Sequence, residues 1–169
     1  MIKPGDKAPS FKLPSTRGGE VSSSDLKGRK FVLYFYPKDD TPGCTREACD
    51  FRDNLARLRS EGVDVLGVSK DPLSAHEKFR AKYALPFELL SDQDNTVARA
   101  YGAYGEKIMY GKKVVGTIRS TYLIDEAGRV DAVWSKVKVD GHVDRILEHL
   151  RGGGEPPAKT VRKKASKKK

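Results

Sequence analysis

Cys44 and Cys49 are the only thiols in the 169-residue chain, and they stand five positions apart, the first at the end of the segment PKDDTPGC (37–44). A cysteine where a loop passes into a helix has unsatisfied backbone N–H groups and the positive end of the helix dipole beside it. Both favour the thiolate, which is the nucleophilic form. The helix end is not sufficient, because lowering a thiol from about 8.5 to about 6 takes about 3.4 kcal/mol and a helix terminus supplies at best about 2 kcal/mol. A cation is needed. Arg119, directly before the apolar run 122–124, sits at an element boundary from which it can reach the loop before Cys44, whereas Lys38 and Arg46 are nearer in sequence and expected to be solvated.

The spacing of the two thiols constrains the step after attack. In an intact helix, residues five apart are separated by about 7.5 Å of rise and about 140° of rotation, which puts their Cα atoms roughly 8.6 Å apart. A disulfide tolerates about 7 Å. A bond between Cys44 and Cys49 therefore requires the first turns of the helix to unwind. A cycle of sulfenic acid, local unfolding and condensation would use that switch. Taken alone, Cys49 also reads as a small core residue. The pair is a poor metal half-site, since four intervening residues put the sulfurs on different helix faces with no histidine nearby, and no metal is expected. His76, His142 and His149 read as core-edge or helix-end residues, and Asp39 and Asp40 as solvated loop residues. The stretch from Gly105 to Lys112 is rejected as a phosphate loop, because Lys113 occupies the place of its Ser or Thr.

Periodicity gives the positioning elements. FVLYFYP, from residue 31, is a strand buried on both faces, which implies a parallel sheet. Residues 43–60 carry Cys44, Ala48, Phe51, Leu55 and Leu58 at helical spacing. VDVLGVS (63–69) is a second buried strand, and Asp71-Pro72 caps a helix that turns Leu73, His76, Phe79 and Tyr83 inward. A short strand near 87–90 and a helix near 94–101 come next, and 102–116 reads as irregular. STYLID (120–125) and VDAVWS (130–135) form a hairpin across a glycine-containing turn. A last helix starts near Asp140, buries Val143, Ile146, Leu147 and Leu150, and stops at Gly152-Gly153-Gly154. A βαβ half followed by a ββα half is the thioredoxin-like arrangement, an α/β class with a mixed central sheet flanked by helices.

Composition confines the rest. One domain over 1–151 and a tail over 152–169 are expected. The tail holds seven basic residues against Glu155 alone, so +6 of the net +10 belongs to it and the high charge says little about the folded surface. Its Lys, Pro and Gly content predicts disorder, with weak non-specific nucleic-acid contact as its functional alternative. No run suffices to cross a bilayer, no membrane partner is expected, and the start lacks the apolar stretch of a secretory signal, so the expected location is cytoplasmic.

With Pro, Thr and Cys at the spacing found in PKDDTPGC, the chain resembles the peroxiredoxins. The second cysteine, KKVVGTIRSTYLID (112–125) and WSKVKVDGH (134–142) are similar to the bacterioferritin comigratory protein, or peroxiredoxin Q, branch, over residues 1 to about 150. The resemblance implies that Cys44 is the peroxidatic and Cys49 the resolving cysteine. It implies that Thr41 hydrogen-bonds the thiolate and the incoming peroxide, and that Pro37 shields the intermediate from water. Arg119 would hold the thiolate, with the Gly43 and Cys44 amides completing the anion site, and Glu47 would orient an arginine. Hydroperoxides as substrate, thioredoxin as electron donor, a monomer and no cofactor are likewise implied. Two competitors remain. A thioredoxin-like disulfide oxidoreductase is disfavoured by the lack of Cys-x-x-Cys and of a proline in 117–120, and a polyanion-binding protein rests on the tail alone.

Overall fold

In the computed structural model, which describes residues 2–152, the chain opens with an antiparallel pair, β1 (Lys12–Pro14) and β2 (Glu20–Ser22), followed by a 3-10 turn. Three-residue strands are too short to register as an alternating pattern, so periodicity does not reveal them. The apolar run then forms β3 (Lys30–Phe35), and the next segment folds into α1 (Pro42–Asp53) and α2 (Leu55–Ser60). The single helix expected over 43–60 is thus two, broken at Asn54, whose side-chain amide donates to the Asp50 carbonyl at 2.9 Å and competes with the helical ladder. Leu55 and Leu58 stay buried across the break, so the apolar stripe survives it.

β4 (Val63–Ser69), α3 (Leu73–Tyr83), β5 (Glu88–Ser91) and α4 (Thr96–Tyr101) complete the first half. Pro72, not Asp71, holds the N-cap position of α3, and the Asp71 carboxylate is engaged elsewhere. Residues 102–116 are not irregular: β6 (Tyr104–Met109) and β7 (Lys112–Thr117) pair as an antiparallel hairpin. Its turn, Tyr110-Gly111, lacks the Asn-Gly or Asp-Gly signal that marks such hairpins in sequence. β8 (Ser120–Ile124), β9 (Val130–Ser135) and α5 (His142–Gly152) come as expected, with α5 running one residue into the expected tail. The remainder of that tail, 153–169, lies outside the described residues.

The main sheet has the order β5-β4-β3-β8-β9, with β3, β4 and β5 parallel and β8 and β9 antiparallel to their neighbours. Period two divides β3 between two cores. Val32 and Tyr34, with Tyr36 beyond the strand, join Phe51, Leu58, Phe79, Ile146 and Leu147, while Phe31, Leu33 and Phe35 join Leu13, Val97, Tyr101 and Tyr122. Helices α1, α2, α3 and α5 cover one face, and α4 with the first hairpin covers the other. This is the α/β, thioredoxin-like layering expected from the sequence, and it places the end of β3 beside the N-terminus of α1.

Candidate active site

Tyr36 to Thr41 carry the chain from β3 into α1. Pro42 takes the first helical position, where its missing N–H costs nothing, and Cys44 falls in the first turn, 1% exposed. Thr41 occupies the N-cap, but its hydroxyl donates to the Lys38 carbonyl at 2.8 Å and not to the sulfur. The lone pairs of that hydroxyl remain able to accept from a hydroperoxide O–H. Arg119, in the link between β7 and β8, extends to Cys44: Nη2 donates to Sγ at 3.5 Å, and Nη1 donates to Glu47 Oε1 at 2.7 Å. Gly43 leaves room for the guanidinium, since a Cβ there would come within 3.3 Å of Arg119 Nη2. Arg46 is exposed and pairs with Asp140, in keeping with its solvated reading.

Glu47 lies on the buried stripe of α1, 1% exposed, with Oε2 lacking any partner among the described residues. Burial pushes its carboxyl up to about 7 against the pull of Arg119. For Arg119, burial works against the charge, but Glu47 and Cys44 outweigh it and hold the guanidinium above its ordinary value. One half-buried cation thus faces two groups that can be anionic. That arrangement keeps the guanidinium fixed and places its second N–H edge on the sulfur, where negative charge would reside before attack and on the peroxide oxygens during it.

Both cysteines are free, and Cys49 is half-buried on the same uninterrupted helix as Cys44. Pro37, Ile118 and Arg119 line a cleft of about 580 Å³ with Lys107, Ile108, Met109 and others from the β6–β7 hairpin. Lys107, which no sequence motif singles out, enters this cleft. Burial and then the nearby Arg119 lower its ammonium from the usual range, and Nζ donates to the Thr117 carbonyl at 2.6 Å.

Asp39 is not a solvated loop residue. It is buried, and its carboxylate accepts from Tyr36 Oη at 2.6 Å and meets His76 Nδ1 at 2.6 Å, while His76 Nε2 faces the Leu90 carbonyl at 2.9 Å. A carbonyl only accepts, so Nε2 carries a proton, and the short Nδ1 contact holds another. Asp39 N donates to Asp71 Oδ2 at 2.8 Å, and Ser69 Oγ donates to the same oxygen at 2.6 Å. Asp40 is exposed but held by Lys82 and Tyr83 of α3, each at 2.8 Å. The loop carrying the chemistry is therefore tied to α3, β4 and β5 independently of α1. Ligand atoms of Asp39, Asp71 and His76 lie within 4.8 Å of one another, yet a 2.6 Å contact admits a proton and not a metal with bonds of about 2 Å to each side. His76 is thus fully buried core rather than core edge, while His142 opens α5, where burial pulls its imidazole down to about 3.

The AhpC/TSA family matches residues 4–133. A putative peroxiredoxin bcp of Coxiella burnetii is 57% identical over 149 residues, covering 88% of this chain and 99% of that one. Peroxiredoxin Bcp of Bacillus subtilis is 46% identical over 154 residues, covering 91% and 98%. Among solved structures, peroxiredoxin Q of Xanthomonas campestris superposes with a TM-score of 0.80 at 40% identity, covering 90% of this chain and 96% of that one. A structure of the bacterioferritin comigratory protein of the same organism, described by its alkyl peroxide reduction activity, gives 0.80 at 39% identity over 90% and 97%. With Cys44 at the head of α1 and Arg119 on its sulfur, the chain belongs to the AhpC/TSA family, in its bacterioferritin comigratory protein or peroxiredoxin Q branch, and is a peroxidase.

Proposed function

We propose that the chain reduces hydrogen peroxide and alkyl hydroperoxides by a two-cysteine cycle recycled by thioredoxin. The Cys44 thiolate attacks the terminal peroxide oxygen, the O–O bond breaks, and the alkoxide leaves as an alcohol after taking a proton, with Cys44 left as the sulfenic acid. Arg119 and the amides of Gly43 and Cys44 hold the oxygens, Thr41 accepts the peroxide O–H, and Pro37 closes one side against water. Cys49 then displaces water from the sulfenic acid to form the Cys44–Cys49 disulfide, and a dithiol donor, thioredoxin, returns both sulfurs to thiols. Such a cycle suits a monomer in the reducing cytoplasm.

The observation that carries the reading is the Arg119 fork, one N–H on Cys44 Sγ and the other on a buried carboxylate. The alkyl peroxide activity of the Xanthomonas relative supports the substrate class. Cys44→Ser should abolish peroxide consumption, whereas Cys49→Ser should retain one stoichiometric oxidation and lose thioredoxin-coupled turnover, with mass spectrometry reporting the disulfide only in the wild type. Persistent turnover by Cys44→Ser would overturn the reading.

A further inference from the structure

All the large apolar side chains that stand exposed among the described residues belong to one hairpin: Ile108 at 68%, Met109 at 43%, Tyr110 at 98% and Val115 at 64%. Scattered singly, exposed apolar residues need no explanation, but here Met109, Tyr110 and Ile108 stand at or next to the turn of β6–β7, and Val115 follows on β7 opposite Glu106. The turn adds a second observation. Met109 and Lys112 are the last paired residues, so Tyr110 and Gly111 form a two-residue loop, with φ of 54° and 79°. Both central positions of such a turn need positive φ, which suits Gly, Asn and Asp and strains an aromatic residue. An exposed tyrosine thus sits at a strained position in which nothing inside the fold is packed by it.

The surroundings of the tip are basic. Lys112 and Lys113 flank it, Lys107 and Lys136 continue along the cleft that contains Arg119, and Glu106 is the one acidic residue lining that cleft among the described residues. We propose that the β6–β7 tip docks the protein on an anionic lipid bilayer, with Tyr110, Ile108 and Val115 entering the headgroup region and the lysines meeting lipid phosphates, so that the cleft lined by Arg119 opens at the membrane surface. A convex tip of four side chains is far short of the roughly 20–30 residues that each side of a standard protein interface supplies. It suits shallow insertion, where tyrosine settles at headgroup level and nearby lysines are drawn to anionic lipid phosphates. The contact proposed is a peripheral one; no helix among the described residues is long and apolar enough to cross a membrane.

The test is co-sedimentation of the full-length reduced protein with vesicles of phosphatidylcholine, with and without phosphatidylglycerol. The variants are Tyr110→Asn and Tyr110→Ser/Val115→Ser; neither residue lines the cleft, and neither change alters net charge, so any attraction by the basic tail is held constant. Binding to phosphatidylglycerol vesicles should fall about tenfold or more in the double variant, the loss expected when one or two buried apolar side chains are removed. Hydrogen peroxide turnover should stay at the wild-type level, and Tyr110→Asn should melt higher while binding more weakly, because Asn tolerates positive φ. Unchanged vesicle binding in the double variant would overturn the proposal. So would wild-type self-association in sedimentation velocity that the double variant loses with vesicle binding intact, since the tip would then serve a second copy of the chain.

Discussion

Replacing Glu47 by Gln tests whether burial or the ion pair governs this carboxyl. Glu47 is 1% exposed and its carboxyl lies at about 7 against an ordinary 4.5, raised by burial despite Arg119. The folded value stands above the unfolded one, so the fold favours the neutral form. The stabilisation associated with this group is fully present below about pH 4.5 and is lost as pH rises through about 7. A difference of about 2.5 units corresponds to about 3 kcal/mol. Gln keeps an oxygen that can accept from Arg119 Nη1 and never ionises. The stability of Glu47→Gln relative to wild type should therefore increase by about 3 kcal/mol between pH 4.5 and pH 8, equivalent to roughly 6–12 °C in melting temperature for a domain of this size. Urea unfolding of the reduced protein at both pH values measures it. A difference that does not change with pH, or that moves the other way, would refute the argument that burial outweighs the Arg119 pair.

The same geometry sets three further outcomes. Arg119→Leu removes the donor on Cys44 Sγ and should lower the second-order rate with hydrogen peroxide by about 10²–10³, read by stopped flow, with Cys44 still oxidisable at high peroxide. Gly43→Ala brings a methyl within 3.3 Å of Arg119 Nη2 and should reduce that rate while changing the melting temperature little, since Gly43 has ordinary helical backbone and no other close neighbour. His76→Leu leaves Asp39 and the Leu90 carbonyl buried without their partner and should destabilise the reduced protein by about 3–5 kcal/mol in urea, with faster amide exchange across 38–41 as the local signature.

Where the fold departs from the sequence expectations, the missing information is of one kind. The buried strands β3 and β4 are legible as continuous apolar runs and the helices α1, α3 and α5 because a residue that must be buried repeats at the helical period, and Cys44 is legible as a candidate nucleophile because the PKDDTPGC segment sets a cysteine at a helix start. The β6–β7 hairpin is not, because its strands are half-exposed and its turn is Tyr-Gly, so neither alternation nor turn chemistry announces it. Asp39 and His76 are 37 residues apart, and nothing local distinguishes a buried aspartate in a loop from a solvated one until α3 folds over it. Local periodicity and turn residues were enough to put a thiol at the head of a helix beside a buried strand, since both act within a few residues of Cys44. That Arg119, 75 residues later, reaches the same sulfur while anchored on Glu47 is a property of the assembled sheet, because the antiparallel pairing of β8 with β3 brings the arginine that leads into β8 to the end of β3.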